Sequence, residues 1–258
     1  MKKSGWKIIL GVAVLVCVIC LGRFGWVKYQ DYKTEQARKA TLKEIASTEF
    51  TGENEGKEPE KVPAGVKHGQ KINFKKLIKI NSDIYAWIYV PGTRIDYPVA
   101  QSQESDDHYL KYNFKNEPEF AGCIYTEKAN KKDFSDPNTV FYGHNMRNGT
   151  MFGSLKKMLN DSSIQEENPN FYVFTEDKAY MYEIFAVYLT QADSRTYDLI
   201  RNEEEQQGFL DYVDETATWR SDKVVSASDK VMTLSTCHGL HSNNRTIILG
   251  VLVASEDR

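Results

Sequence analysis

Two apolar runs near the C-terminus constrain the fold most strongly. Residues 231–237 read VMTLSTC and residues 246–253 read TIILGVLV, with a polar stretch between them. Runs rich in β-branched residues favour strands, and the polar stretch predicts a loop that joins two neighbouring strands. This arrangement places Cys237 at the end of one strand and Arg245 at the start of the next. A thiol beside a guanidinium at a strand end is a candidate nucleophile.

The composition indicates a globular, β-rich protein. The chain has 258 residues, which is enough for one domain with a sizeable core and additional segments. Its 15 Tyr and 12 Phe favour strands over a helical bundle. The formal net charge is −3, so no basic field indicates binding to nucleic acid.

An unbroken apolar segment near the N-terminus predicts a membrane anchor. Residues 8–27 reach the ~30 Å of a bilayer core at ~1.5 Å per residue, and Trp6 and Trp26 would lie near its two interfaces. Lysines in residues 1–7 predict a cytoplasmic N-terminus and an extracellular remainder. A cleaved signal peptide is the alternative, although no small-x-small cleavage site follows the apolar core. A lipoprotein site at Cys20 and a buried core helix are weaker interpretations.

The remainder divides into a spacer and a folded domain. Residues 28–47 carry charges interspersed with Ala and Leu, which suits an exposed helix. Residues 48–69 are rich in Glu, Gly, Lys and Pro, a composition typical of a flexible spacer. We therefore expect residues 28–70 to form an extracellular helical and flexible spacer, and residues 71–258 to form the folded domain.

The folded domain shows short strand patterns and few helices. Besides the two C-terminal runs, strands are predicted at residues 84–90, 95–99, 122–126, 139–142, 171–175 and 179–190. Helices are predicted at residues 74–80, 149–159 and from 203 to about 219, with Asn73 and Asn202 as caps of the first and last. Short, closely spaced strands indicate an antiparallel β-barrel with helical insertions.

Cys237 needs a proton acceptor or a cationic neighbour, because the thiolate is the attacking species. His144 is the candidate partner, since it follows the β-like run 140–142 and leads into a polar loop, where catalytic side chains are common. Arg245 cannot act as a base, because a guanidinium stays protonated, but it can donate hydrogen bonds to an oxyanion or a substrate carbonyl. From the residues alone, a packed thiol, a surface histidine and a solvated arginine remain open.

Two other uses of the cysteines are open. A disulfide between Cys123 and Cys237 is possible, although Cys123 is expected to pack as a small apolar residue. Cys237, His238 and His241 are potential zinc ligands, but sequence neighbours in a strand point to opposite faces, and the CxxC and HExxH motifs are missing. We expect neither a metal nor a cofactor.

At these residues the sequence resembles the sortases, the membrane-anchored cysteine transpeptidases of Gram-positive bacteria. TLSTC at residues 233–237 matches the TLxTC signature of the family, and Arg245 matches the arginine on its following strand. YGHNM at residues 142–146 is similar to the histidine segment of class B members. The helix at 203–219 resembles the additional helix that marks class B. The resemblance covers about residues 70–253.

The resemblance implies a closed antiparallel eight-stranded β-barrel in which His144, Cys237 and Arg245 meet in a groove. It also implies that Cys237 attacks the threonine carbonyl in the C-terminal sorting motif of a secreted protein. An amine of a peptidoglycan precursor or cross-bridge would then resolve the thioester.

Further expectations depend on the resemblance alone. Ser235, Leu110 and Tyr197 would line the peptide groove. His238 and His241 depart from the family pattern and are expected as exposed loop residues, the alternative being a second titrating group near the thiol. A secreted cysteine protease, in which water ends the thioester, and a non-catalytic anchored binding domain remain alternatives to a transpeptidase.

Overall fold

The computed structural model describes residues 3–46, 64–69, 72–238 and 242–258, which fall into two compact units divided between Glu44 and Ile45. The described residues of the first unit belong to helix α1 (Lys3–Ala46), whose last two residues fall in the second unit. Within it, Ile9–Gln30 has a mean hydropathy of 2.2 and is long enough to cross a membrane, although an N-terminal signal sequence would have the same properties. The helix predicted for residues 28–47 is confirmed up to Ala46, where it continues the apolar segment.

The second unit begins with helices α2 (Ala64–Gly69) and α3 (Phe74–Ile80). Gly65 and Gly69 lie directly against the rings of Tyr172 and Phe174, so closely that a Cβ atom at either glycine would clash. The prediction of a flexible spacer is therefore wrong for residues 64–69. Because the contact is made by glycine backbone, the segment needs no large apolar residues. Residues 47–63 and 70 of the predicted spacer, and residue 71 of the predicted folded domain, lie outside the described part of the chain.

The rest of the second unit is a β-barrel with helical insertions. Its strands are β1 (Ile84–Tyr89), β2 (Asp96–Ala100), β3 (Ile124–Tyr125), β4 (Asn138–Tyr142), β5 (Asn170–Phe174), β6 (Lys178–Gln191), β7 (Trp219–Arg220), β8 (Val231–Cys237) and β9 (Asn244–Asp257). Its inserted helices are α4 (Leu155–Asn160), α5 (Ser163–Glu167) and α6 (Glu203–Thr216), with 3₁₀ turns at His108–Leu110 and Arg195–Tyr197.

The sheet closes on itself. The strand order is β5-β1-β2-β3-β4-β8-β9-β6, and β6 pairs again with β5, which confirms the closed eight-stranded barrel. β7 is a ninth, short strand that pairs with β6 at Val187 and Ala186. The barrel is mixed, however, because β2–β3 and β4–β8 are parallel pairs. The prediction of a purely antiparallel sheet is wrong at these two pairs, where long connections return the chain in the same direction.

Two helix predictions differ from the structure, and one inserted helix has no counterpart among the predictions. The helix predicted at 149–159 begins only at Leu155, since Gly149 and Met151 have positive φ values of 77° and 50° and break the helical repeat. α5 was not predicted. α6 ends at Thr216 rather than near 219, and the chain continues as β7 because Ala217 is extended. Asn73 and Asn202 cap α3 and α6 as predicted, each accepting a hydrogen bond from a backbone N–H.

Alternation along β8 decides which of its side chains can reach a substrate. Met232 and Leu234 belong to the core inside the barrel, whereas Val231 packs on the outer face with residues of α6. Because successive side chains of a strand point to opposite faces, Ser235 and Cys237 share the outer face with Val231. The thiol therefore opens to the outside of the barrel.

Candidate active site

Cys237 and Arg245 are direct partners across the β8–β9 pair. Side chains in this position have Cβ atoms about 4.5–5.5 Å apart, so the predicted pairing of a thiol with a guanidinium at two strand ends is confirmed. Cys237 is a half-buried free thiol. On the other side of β9, Thr190 of β6 is the direct partner of Arg245.

Arg245 also organises the loop that precedes it. Its Nη1 donates to the carbonyl oxygens of Ser242, Asn243 and Asn244, at 3.2, 3.1 and 3.2 Å. Among the described residues, no hydrogen bond engages Nη2 or Nε of this side chain. Since a guanidinium has five N–H donors, most of its donor capacity is available to a substrate.

His144 is held beside the cysteine strand by the parallel β4–β8 pair. Gly143, directly before it, donates its N–H to the Ser235 carbonyl at 3.2 Å and accepts from Thr236 Oγ1 at 2.7 Å. His144 and Cys237 then line one surface cavity of about 640 Å³. The structure thus places both predicted catalytic side chains at one opening.

Two neighbours orient the His144 ring. Nε2 lies 2.7 Å from the carbonyl oxygen of Leu110. A carbonyl only accepts, so Nε2 carries the proton, and in the neutral ring Nδ1 is the acceptor. Phe120 stacks on the ring at 5.9 Å and 14°, and it is 77% exposed. The resemblance implies a substrate contact for Leu110. In the structure, its main-chain carbonyl oxygen accepts this hydrogen bond from His144.

A row of tyrosines lies on the outer face next to the cysteine. Tyr125 stacks on Tyr142 at 5.3 Å, and Tyr142 stacks on Tyr197 at 6.0 Å. The Tyr197 hydroxyl lies 2.7 Å from Ser235 Oγ, which joins two predicted substrate-binding residues. Burial raises the pKa of Tyr197 to about 12, while Arg245 lowers it, so the hydroxyl remains protonated at neutral pH. We call Tyr125, Tyr142, Tyr197 and Ser235 the tyrosine floor.

A carboxyl group borders this floor. Glu127 is half-buried and lies close enough to Tyr142 to influence its ionisation. Burial, followed by the charge of Asp106, raises the pKa of the Glu127 carboxyl. Sequence reasoning missed Glu127, Tyr125 and Tyr142, because their approach depends on the register of β3, β4 and β8.

His238 is not an exposed loop residue. It is half-buried; its N–H donates to the Asn244 carbonyl at 2.9 Å and its Nδ1 lies 3.1 Å from Thr246 Oγ1. Asn145 donates to its carbonyl at 3.2 Å, which ties the histidine loop to the cysteine loop. Burial, followed by the positive charge of Lys156, lowers the pKa of His238. The exposure predicted for His238 is wrong because closure of the β8–β9 hairpin covers the ring, and His241 lies outside the described residues.

The other cysteine of the folded unit is inaccessible. Cys123 and Cys237 are both free thiols, so the structure does not form the disulfide left open by the sequence. Cys123 is only 4% exposed, and burial raises its pKa. Nor does any group of three His, Cys, Asp or Glu side chains in the described ranges lie close enough to hold a metal ion.

The cavity separates the predicted residues into two sets. It is lined by Cys237 and His144, but its lining includes neither Arg245 nor the three predicted substrate-binding residues. Arg245 is the cross-strand partner of Cys237 on β9. Ser235 and Tyr197 belong to the tyrosine floor, and Leu110 holds the His144 ring through its carbonyl oxygen. The thiol thus has two sets of neighbours, the lining of the cavity on the one hand and Arg245 with the tyrosine floor on the other.

Comparisons with known proteins agree with this geometry. A family model described as the Sortase domain matches residues 88–253. Sortase B of Listeria monocytogenes is 33% identical over 231 residues, covering 88% of this chain and 86% of the relative. Sortase B of Staphylococcus aureus is 32% identical over 188 residues, covering 72% of this chain and 76% of the relative.

Solved structures give the same result. A crystal structure of sortase B from Bacillus anthracis has a TM-score of 0.68 and 31% identity, covering 87% of this chain and 99% of that chain. A Staphylococcus aureus sortase B–substrate complex has a TM-score of 0.65 and 29% identity, covering 72% of this chain and 85% of that one.

Proposed function

This chain belongs to the sortase family and is most similar to its class B members, and on that premise we propose that it is a membrane-anchored cysteine transpeptidase. In this proposal it cleaves the C-terminal sorting motif of secreted proteins after a threonine and transfers them to an amine of the cell wall. The observation that carries the proposal is the position of Cys237: it shares one cavity with His144 and pairs directly with Arg245.

The first half-reaction forms a thioester. The Cys237 thiolate attacks the threonine carbonyl, and the carbonyl oxygen becomes an oxyanion. His144, as the imidazolium, gives its proton to the departing amine as the C–N bond breaks. The C-terminal fragment leaves, and the protein remains bound to Sγ as an acyl group. The fixed orientation of the His144 ring over Phe120 and Leu110 supports this role.

The second half-reaction transfers the acyl group. An amine attacks the thioester carbonyl, the C–S bond breaks, and the Cys237 thiolate leaves. His144, now neutral, accepts the proton that the attacking nitrogen loses. The enzyme returns to its starting protonation state, and a new amide bond joins the protein to the acceptor.

Arg245 stabilises the oxyanion or positions the substrate carbonyl in this proposal. Its Nη1 is committed to three loop carbonyls, which leaves Nη2 and Nε as the available donors. Tyr197 is half-buried and its hydroxyl is hydrogen-bonded to Ser235, which is only 2% exposed, on the same side as Arg245. We assign both to the sorting peptide, Tyr197 as a direct contact and Ser235 through this hydrogen bond. Leu110 contributes by holding the His144 ring through its carbonyl oxygen.

The location follows from the first unit. We assign the apolar segment of α1 as an uncleaved signal anchor with residues 1–7 in the cytoplasm, which leaves the barrel outside the cell. Its length and hydropathy support a membrane span, and the preceding lysines support this orientation.

The proposal is tested by mass spectrometry of the products from a sorting peptide, with and without amines derived from peptidoglycan. A ligated peptide–amine product is expected with a suitable amine, and slow hydrolysis without it. Cys237→Ala should abolish both products, whereas Cys123→Ala should retain them. Hydrolysis that continues with no ligated product for any wall amine would favour the protease alternative. A Cys237→Ala chain that keeps full biological function would favour the binding domain.

A further inference from the structure

The cavity that contains Cys237 and His144 is strongly basic. Its remaining lining includes Arg147, Lys156 and Lys157, and no Asp or Glu contributes to it. Two elements supply the three cations: Arg147 comes from the loop after His144, and the two lysines come from the adjacent helix α4. With a volume of about 640 Å³, the cavity is large enough for a small peptide fragment.

These charges are not used by the fold. Within the described ranges, none of the three cations forms an ion pair, although other lysines of the barrel do, such as Lys223 with Glu183 at 3.0 Å. Lys156 is half-buried and lies close enough to His238 to influence its ionisation. An unpaired cation in a partly buried position has a free-energy cost, which an anionic ligand would relieve.

The tyrosine floor, the other set of neighbours of the thiol, has a different character from the cavity. The tyrosine floor presents aromatic rings and hydroxyl groups, and its charged neighbours have opposite signs, the Glu127 carboxyl and the Arg245 guanidinium. In the proposed reaction two substrates meet at one thioester. After acylation the sorting peptide would occupy the tyrosine floor. The basic cavity then remains as the open route to the same sulfur.

We propose that the cavity formed by Arg147, Lys156 and Lys157 beside Cys237 and His144 is the acceptor site, and that it selects amine acceptors which carry carboxylate groups. This inference rests on the proposed function and names the chemistry of its second substrate. The acceptor amine reaches the thioester at Cys237, and its carboxylates lie against the three cations. The amine proton passes to His144 as in the second half-reaction above.

The test uses matched acceptor pairs that differ in one carboxylate. Triglycine is compared with triglycinamide, and Nα-acetyl-lysine with Nα-acetyl-lysinamide, with the full-length chain and one sorting peptide. The readout is the ratio of transfer efficiencies within each pair, because this ratio cancels any change in thioester formation. The wild-type chain should prefer the carboxylate member about fivefold or more, the equivalent of about 1 kcal/mol.

Charge reversal provides the second arm. Lys156→Glu/Lys157→Glu should abolish the preference or reverse it in favour of the amide. Arg147→Glu should reduce it about twofold, because one exposed ion pair contributes only a fraction of a kcal/mol. Lys75→Glu is the matched control, because Lys75 is an exposed lysine on the short helix α3 and does not line the cavity. It should leave the ratio unchanged.

The outcomes separate the inference from the function on which it rests. Equal use of acid and amide by the wild-type chain, or a ratio that survives the double reversal, would overturn the acceptor assignment while ligation itself continues. A double reversal that changes only the apparent affinity for the sorting peptide would also overturn it, and would assign the cavity to the donor. Hydrolysis without ligation of any of the four amines would overturn the transpeptidase proposal, and the inference with it.

Discussion

The hydrogen bond between Tyr197 and Ser235 gives a quantitative test of the tyrosine floor. The two hydroxyl oxygens are 2.7 Å apart, and Ser235 is only 2% exposed. In Tyr197→Phe the ring keeps its shape, but the Ser235 hydroxyl loses its partner where water cannot replace it. An unsatisfied buried hydroxyl costs about 1–3 kcal/mol, so we expect about 1.5–2 kcal/mol of lost stability.

The reciprocal change should cost less. In Ser235→Ala the Tyr197 hydroxyl stays half-buried and can turn to water, so the loss should be near the ordinary net value of about 1 kcal/mol. The double variant removes both polar groups and should lose less than the sum of the single variants. The coupling energy of this cycle should be about 1 kcal/mol.

Thermal unfolding of the full-length variants, followed by near-UV circular dichroism, measures these differences. For a domain of this size, about 1 kcal/mol lowers Tm by about 2–4 °C. Tyr197→Phe should therefore lower Tm by about 3–8 °C, and the double variant by less than the two single changes together. Losses that add within about 0.5 kcal/mol would refute the bond and the position of the 3₁₀ turn on β8.

Three further predictions address the surroundings of the thiol. Lys156→Gln should raise the pKa of His238 without restoring its ordinary value, because burial remains and only the repulsive charge is removed. An NMR titration of the ring protons measures this pKa, and an unchanged or lower value would contradict the prediction. In the native chain an alkylating reagent should modify Cys237 and leave Cys123 unmodified until the protein unfolds, since Cys123 is buried and burial raises its pKa; rapid labelling of Cys123 under native conditions would be inconsistent with the barrel. Gly250→Ala should destabilise the barrel by about 1–3 kcal/mol, because a Cβ atom there would collide with an aromatic ring of β5. A Tm equal to that of the wild-type chain would show that the interior is less tightly packed than described.

Local sequence patterns were sufficient for the features that depend on neighbouring residues. The two C-terminal runs predicted adjacent strands, and the structure pairs Cys237 with Arg245 in the expected positions. The hairpin of β5 and β6 and the caps at Asn73 and Asn202 also follow from short-range signals. Each of these features is set by alternation or by one side chain acting on a nearby backbone group.

The features that the sequence did not reveal depend on distant contacts. The parallel β4–β8 pair joins segments separated by three helices and a hairpin, and it decides that Tyr142 lies beside Ser235. Glycines hide the packing of α2, because the contacting group is backbone and not an apolar side chain. The burial of His238 follows from hairpin closure, which composition alone cannot indicate. The basic cavity likewise needs α4 and the histidine loop to be assembled.

The acyl group on Cys237 can be detected by mass spectrometry of the digested protein. The full-length chain is mixed with a sorting peptide without an amine, quenched in acid and digested. We expect a mass increase equal to the N-terminal fragment of the peptide, located on the segment with Cys237. Hydroxylamine should release it. Cys123→Ala should give the same adduct, and addition of an acceptor amine should discharge it. Peptide turnover with no adduct on Cys237, or an adduct that persists in Cys237→Ala, would show that Cys237 is not the nucleophile.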